Sequence, residues 1–249
     1  MKQVTVVSVS YNTKELTALL LWSLHRILDP PDLSILVVDN GSTDGSADLL
    51  RAARDAGLCE LIANDTNLGH GPALNIAMSA AQVAEAPRVW ILDSDCVITR
   101  PEALRAPLTK APNAAIIGEA RWDTWHGEHR FGLFSLILDP AALADADAAH
   151  FTNDGDPSWE LLQSAVRAGL EMASFPFTAD DYLVHLGRAS LTAVFASGDV
   201  DHPHYEWATR HHEPHYGGVA QAKGRHSQIL TRFRTEVGPE LELVAALQP

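Results

Sequence analysis

The chain has 249 residues, 46% of them hydrophobic, enough to bury a substantial core within the size range of one large α/β domain. A balance of 32 acidic against 18 basic side chains gives a net charge of −14, which repels a nucleic-acid backbone, and no Lys/Arg cluster offsets it locally. Cys59 and Cys96 form no CxxC pair, no apolar run reaches membrane-spanning length, and Met1-Lys2-Gln3-Val4 carries no signal pattern. These features predict a soluble, cytoplasmic protein with two packing cysteines, no integral membrane segment and no nucleic-acid partner.

Val4 to Ser10 is short, β-branched and nearly all apolar, which suits a central parallel strand covered on both faces. Tyr11-Asn12-Thr13 then turns into a helix from about Lys14 to Ile27, with Leu16, Leu20, Leu24 and Ile27 at helical spacing, ending before Asp29-Pro30-Pro31. A second strand, Ser34 to Asp39, leads through Asn40-Gly41-Ser42-Thr43-Asp44-Gly45-Ser46 into a second helix. Cys59 to Ala63 reads as a third strand, and the loop 64–71 opens a helix with Pro72 at its first position that fades near Pro87. Arg88 to Leu92 is the next buried strand and runs straight into Asp93-Ser94-Asp95. Strands alternating with helices at this spacing imply a parallel sheet with right-handed crossovers, whose ligands bind beyond the carboxyl ends of the strands. Tyr11, Asp39, Asn67 and Asp93 all fall at such ends.

The second half mixes aromatics and charges over residues 118–138 before the apolar Leu136-Ile137-Leu138. Asp156-Pro157 starts a helix carrying Leu161, Leu162, Ala165 and Val166 that stops at Gly169. Short strands follow near 170–175 and 182–187, and the segment from Val200 to His215 is rich in histidine, proline and aromatics.

Four motifs in order carry a resemblance: Val7-Ser8-Val9-Ser10-Tyr11-Asn12, then Val37-Val38-Asp39-Asn40-Gly41-Ser42-Thr43-Asp44-Gly45-Ser46, then Asn67-Leu68-Gly69 with Asn75, then Leu92-Asp93-Ser94-Asp95. Together they resemble the family-2 glycosyltransferases, with rhamnosyltransferase-like members nearest in pattern. The resemblance implies a GT-A fold: an α/β, Rossmann-like, mostly parallel central sheet flanked by helices, with a smaller acceptor-side sub-region. One catalytic domain spanning 1–249 is expected, with a nucleotide-sugar-binding half (1–100), an acceptor-side and catalytic half (101–199) and a C-terminal closing segment (200–249).

The resemblance also implies site residues. Tyr11, Asn12, Asp39, Asn67, Gly69, Asp93 and Ser94 would hold the nucleotide sugar, since an aromatic face stacks on a base and a carboxylate accepts from ribose or base donors. Asp44, by contrast, reads first as a helix cap. Asp95 and Asp93 would bind Mn²⁺ or Mg²⁺, because hard carboxylate oxygens suit these ions and a cation relieves the repulsion between an acidic protein and a diphosphate. His185-Leu186-Gly187-Arg188-Ala189-Ser190 is similar to a His-x-Gly-x-x-Ser segment whose histidine completes the metal site, which tilts the preference to manganese.

The acidic pair that inverting members carry before a helix is absent here. Asp156 is the first candidate for the catalytic base, with a cap of its helix as the competing role, and Asp154 and Glu160 are alternatives. Trp122, Trp125, His126, His129 and Trp159 would form an acceptor wall. His202, His204, His211, His212 and His215 fit a solvated segment better than a separate metal site. The function implied is an inverting, metal-dependent transfer of a sugar from a dTDP- or UDP-activated donor, dTDP-rhamnose first, to a hydroxyl of a carbohydrate or small-molecule acceptor. A homodimer and peripheral attachment to a membrane are compatible with this sequence. The competing readings are a catalytically silent sugar-nucleotide or metal-binding protein and, less well matched, a sugar-1-phosphate nucleotidyltransferase, which would need a Gly-rich basic loop after the first strand.

Overall fold

The computed structural model describes residues 4–28, 33–123, 128–148, 150–153 and 156–187. The first strand, β1 (Val4–Ser10), is buried along its whole length and pairs in parallel with β2 (Leu33–Asn40) on one side and β4 (Val89–Leu92) on the other. β3 (Glu60–Asn64) adds in parallel beyond β2. Past β4 the sheet continues through β7 (Glu128–Leu138), β6 (Ile116–Asp123) and β8 (Met172–Ser174), in the order β3-β2-β1-β4-β7-β6-β8. Only β7 runs against the others, antiparallel to both β4 and β6, so the seven-stranded sheet is mostly parallel.

Alternation along β1 divides the core. Val4 and Val6 join a cluster with Leu20, Leu21 and Leu24 of α1 (Lys14–Ile27) and Leu50 and Ala53 of α2 (Ser46–Asp55). Val7 and Val9 face Ala73, Leu74 and Ala77 of α3 (His70–Met78), Leu143 of α6 (Pro140–Asp145), and Leu161, Leu162 and Ala165 of α7 (Trp159–Arg167). Two short helices, α4 (Ala81–Ala84) and α5 (Arg105–Lys110), complete the described helices. Helices on both faces explain why the central strands tolerate unbroken apolar runs.

A separate two-stranded ribbon, β5 (Cys96–Ile98) with β9 (Leu183–His185), extends the chain after Asp93-Ser94-Asp95. Its antiparallel register sets Cys96 opposite His185. Burial pushes the Cys59 thiol up to about 12 and the Cys96 thiol well above its ordinary value, in keeping with packing roles for both.

Three elements differ from the sequence expectation. The helix read through to Pro87 breaks after Met78, where the Ser79 hydroxyl turns back to the Asn75 carbonyl at 2.9 Å and the chain tightens before α4. Pro72 is the third residue of α3, not its first, because Gly69 (φ +91) already starts the helix. The β6–β7 hairpin was not legible as such: its register shifts between Gly118 and Ala120, which destroys a clean period of two.

One side chain ties the two halves together. Asn75 on α3 donates from Nδ2 to the Phe151 carbonyl (2.8 Å) and accepts from the Phe151 N–H at Oδ1 (3.0 Å). Asn75→Ala leaves both backbone groups unmatched and is expected to lower stability by about 2 kcal/mol, read as a lower urea midpoint with an unchanged slope.

Candidate functional site

The loops at the carboxyl ends of β1, β2 and β4 are held by side-chain hydrogen bonds. Asp44 joins two helix starts: Oδ2 accepts from the Lys14 N–H (3.0 Å), and Oδ1 from the Ser46 N–H (2.9 Å) and hydroxyl (2.5 Å). It is the cap that its sequence context suggested. Asn12 adopts φ 51, a left-handed conformation that asparagine tolerates, and its Oδ1 accepts from the Thr43 N–H at 2.7 Å. Its side chain therefore pins the 41–46 loop.

Asn40 carries no role in the sequence reading, yet it organises the next loop. Its Nδ2 donates to Asn67 Oδ1 (2.8 Å) and the Gly69 carbonyl (3.2 Å), while its Oδ1 accepts from Asn64 Nδ2 (2.9 Å) and the Leu68 N–H (3.2 Å). Asn67 Oδ1 also accepts from the Gly69 N–H (2.9 Å), so Asn67 shapes the turn into α3. Gly41 (φ +78) permits the close crossing: a Cβ there would stand 2.6 Å from the Thr66 backbone.

Against these tied residues, Asp39 stands out. It is 2% exposed at the end of β2, and its Oδ1 is buried without a hydrogen-bond partner. Nothing caps through it, and an unmatched buried oxygen of this kind calls for an explanation that the scaffold does not supply. Tyr11 lies half-buried at the end of β1, and β1 pairs Ser10 with Asp39.

Asp93, Ser94 and Asp95 cross from β4 to β5. The Asp93 N–H donates to the Phe134 carbonyl (3.1 Å), Ser94 Oγ meets Thr13 Oγ1 (3.2 Å) at the start of α1, and the Asp95 carbonyl accepts from the Leu186 N–H (3.0 Å). The β5–β9 pairing brings in His185, whose Nε2 lies 3.4 Å from Asp95 Oδ1 and 3.5 Å from Asp93 Oδ2. Asp93 Oδ1 is buried without a hydrogen-bond partner, with His70 Nε2 at 3.8 Å. His70, at the first position of α3, was missed by the sequence reading, and only its place next to Gly69 could have signalled it.

Burial opposes ionisation of Asp93, but the His185 contact and the charges of His70, His185 and Arg121 outweigh it and hold its carboxyl below the usual range. Burial likewise works against a charged His185, yet its contacts with Asp93 and Asp95 raise it to about 9. Cys96 Sγ lies within 4.8 Å of the Asp95 and His185 ligand atoms, but its thiol donates to the Phe134 carbonyl (3.3 Å) and stays protonated. Asp95, Cys96 and His185 are the groups whose ligand atoms lie within 4.8 Å of one another, so with the thiol protonated the Asp95 carboxylate and the His185 imidazole are the donors best placed for a hard or borderline divalent cation, and Asp93 reaches the set through His185.

On the acceptor side, Asp156 Oδ1 accepts from the Ser158 N–H (2.8 Å) and hydroxyl (2.7 Å), and Oδ2 pairs with Arg130 at 3.1 Å. Both oxygens are thus engaged, but Asp156 holds the turn before the helix rather than capping it: α7 starts at Trp159 with Ser158 as its N-cap, two residues later than the Asp156-Pro157 start read from the sequence. The Arg130 guanidinium also lies over the Trp159 ring at 5.7 Å. Glu160 is half exposed and faces Arg167 at 3.9 Å. The segment before Asp156 abuts the donor side: a Cβ on Gly69 would meet Asn153 Oδ1 at 2.3 Å, and one on Gly71 the Thr152 carbonyl at 1.9 Å. Asp154, Arg188 and the C-terminal histidines lie outside the described residues, as do the side chains of Trp122, Trp125, His126 and His129.

Comparison with known proteins gives this geometry its class. Residues 5–133, slightly more than half of the chain, match the model for glycosyl transferase family 2. The chain belongs to that family. It is 29% identical over 177 residues to the N-acetylglucosaminyl-diphospho-decaprenol L-rhamnosyltransferase of Mycobacterium tuberculosis, a match that spans 69% of this chain and 50% of the relative. The chain therefore matches about half the length of that curated relative. Among solved structures, the mannosyltransferase PcManGT from Pyrobaculum calidifontis, in complex with GDP-Man and Mn²⁺, superimposes with a TM-score of 0.59 at 21% identity, covering 98% of this chain and 80% of that one. Residues 1–349 of S. aureus TarS in complex with UDP give a TM-score of 0.54 at 19% identity, over 70% of this chain and 57% of that one. The fold is GT-A, as the motifs implied. Among the described residues no helix is long and apolar enough to cross a membrane.

The raised His185 value has a testable sign. Its pairing with the two carboxylates stabilises the metal-free fold fully below the ordinary value of 6.5 and fades as pH rises through about 9. In chelator, the urea midpoint of wild type should exceed that of His185→Gln most at about pH 6, and the gap should narrow toward about pH 9.5. A gap constant across that range would contradict the pairing.

Proposed function

We propose that the protein is a metal-dependent glycosyltransferase that moves a sugar from a nucleoside diphosphate to an acceptor hydroxyl with inversion at the anomeric carbon. The observation that carries this reading is the meeting of Asp93, Asp95 and His185 beyond the end of β4, with Asp39 at the end of β2, two strands away, and buried unmatched oxygens on Asp39 and Asp93. In this reading Tyr11 stacks on the base, and Asp39 accepts from the base or ribose. Asn12, Asn67, Gly69 and Ser94 shape the donor loops, and residues 1–100 form the donor half.

Asp95, His185 and Asp93 would hold Mn²⁺ or Mg²⁺, which supplies charge to offset that developing on the departing diphosphate. His185 must give up its proton to act as a ligand, and an imidazole in the set favours manganese. The Mn²⁺ in the PcManGT complex supports the choice. The name of the mycobacterial relative supports rhamnose as the sugar, for which we take dTDP as the first carrier, and the UDP bound to TarS keeps UDP-sugars next.

In the transfer, the acceptor oxygen forms a bond to the anomeric carbon while the bond from that carbon to the diphosphate oxygen breaks. The bonding pair leaves with the diphosphate, and the acceptor proton passes to a carboxylate of the segment 154–160. Asp156 is the base we propose first; Asp154 and Glu160 are its alternatives. For Asp156 to accept a proton, Arg130 must release Oδ2.

Two outcomes are expected. Asp95→Ala should weaken Mn²⁺-dependent donor binding by more than about 100-fold with the circular dichroism spectrum unchanged; calorimetry with dTDP-rhamnose and UDP-sugars reads it, and unchanged affinity would remove Asp95 from the site. Asp156→Asn keeps an accepting oxygen for Ser158 but loses the charge, so donor binding should persist while transfer falls about 100-fold or more. Full transfer by that variant moves the base to Asp154 or Glu160. Donor binding by wild type without turnover on any acceptor would instead favour a catalytically silent sugar-nucleotide-binding protein.

A further inference from the structure

His185 makes long contacts with both carboxylates, 3.4 and 3.5 Å, so these alone do not fix the plane of its ring. The plane is set from behind. The Phe134 ring stacks on the imidazole with centroids 4.6 Å apart and 8° between planes. On Phe134 in turn lies the guanidinium of Arg121, at 4.0 Å from the ring centroid. Arg121 is itself anchored by Glu119 at 3.6 Å and Thr178 Oγ1 at 3.3 Å, and Glu119 accepts from the Thr178 N–H (2.5 Å) and hydroxyl (2.6 Å).

Other observations tie Phe134 to the same centre. Its carbonyl accepts from the Asp93 N–H and from the Cys96 thiol, so one residue holds the backbone of the carboxylate turn and the face of the histidine. Space for this arrangement depends on Gly132, where a Cβ would stand 2.5 Å from Phe134 Cε1 and 3.6 Å from Arg121 Cδ. A lone packing phenylalanine requires neither a glycine beneath it nor a charged residue on its face.

We propose that Phe134 and Arg121 are positioning residues for the cation centre: the stack Arg121–Phe134–His185 fixes the orientation in which the imidazole meets Asp93 and Asp95. The proposal rests on the metal-dependent reading of the site. A cation needs its ligands within a few tenths of an ångström of their bonding positions, and groups that orient a liganding histidine typically account for about 10–100-fold in metal affinity. Besides the charge that acts on Asp93, Arg121 contributes a planar face, which lysine lacks. The β6–β7 hairpin thereby acts on the donor site from outside the donor motifs.

The test measures Mn²⁺ affinity by calorimetry in the presence of saturating nucleoside diphosphate, together with nucleotide affinity in chelator as a check on the fold. Phe134→Leu should weaken Mn²⁺ about 10-fold and Arg121→Gln by a smaller factor of about 3, while Phe134→Tyr keeps the wild-type value and metal-free nucleotide affinity is unchanged throughout. Arg121→Lys keeps the charge that acts on Asp93 and loses only the planar face, so it should also weaken Mn²⁺. The upfield ring-current shift of the His185 protons in the metal-free protein should disappear in Phe134→Leu. Wild-type Mn²⁺ affinity in both Phe134→Leu and Arg121→Gln overturns the positioning role and leaves the metal reading intact. Should Phe134→Leu fail to fold, Arg121→Gln and Arg121→Lys, on a side chain 44% exposed, decide the matter alone. A wild-type protein that binds no Mn²⁺ overturns the metal reading itself.

Discussion

Two carboxylates one residue apart, Asp93 and Asp95, meet at the end of a buried strand in a chain of net charge −14. The cost of burying these charges away from water is the constraint around which the surrounding structure is organised. His185 answers it by lying about equally far from both, and its raised protonation value is the physical signature of that duty. Nothing local could bring a histidine there. The β5–β9 ribbon does so by pairing Cys96 with a residue 89 positions on, and the Leu186 N–H closes the link onto the Asp95 carbonyl. A cation in the place of the shared proton would meet the same need with more charge, which is why an acidic site of this design suits a diphosphate-bearing ligand.

The donor loops are rigid for a related reason. Groups that would otherwise compete for a ligand are satisfied within the protein: Asp44 spans two helix starts, Asn40 closes the 64–69 loop, and Asn12 holds Thr43. Buried side-chain oxygens without a partner remain on Ser8, Asp39 and Asp93. Asp39 and Asp44 sit five residues apart in one motif yet have opposite fates, one with an unmatched oxygen and the other tied to two helix starts.

Legibility follows the range of the interactions. β1 and α1 have the bounds expected of them, and β2, β3 and β4 lie where apolar runs and turn residues put them, because each is encoded by its own period and its own stop signals. The ends of those strands, and with them Tyr11, Asp39 and Asp93, came with that reading. The hairpin β6–β7 did not, since its register shift breaks the alternation, and β5 at three residues is too short to carry a pattern. His70 and Asn40 were missed because their importance lies in partners 23 and 27 residues away, and Arg121 because a charged residue on a strand resembles any solvated one.

The acceptor side obeys a different logic. Asp156 is held at both oxygens, by Ser158 and by Arg130, and Arg130 is steadied by Trp159. A carboxylate so engaged is fixed in place, and Arg130 must move before Oδ2 can meet another group. The stretch just before it is packed onto the turn into α3, through Thr152 at Gly71 and Asn153 at Gly69, and locked by the Asn75 clamp on Phe151. Asp156 is thus tied through Thr152 and Asn153 to the turn into α3 that leads to His70. The link rests on Gly69 and Gly71, whose lack of a side chain allows the two segments to touch.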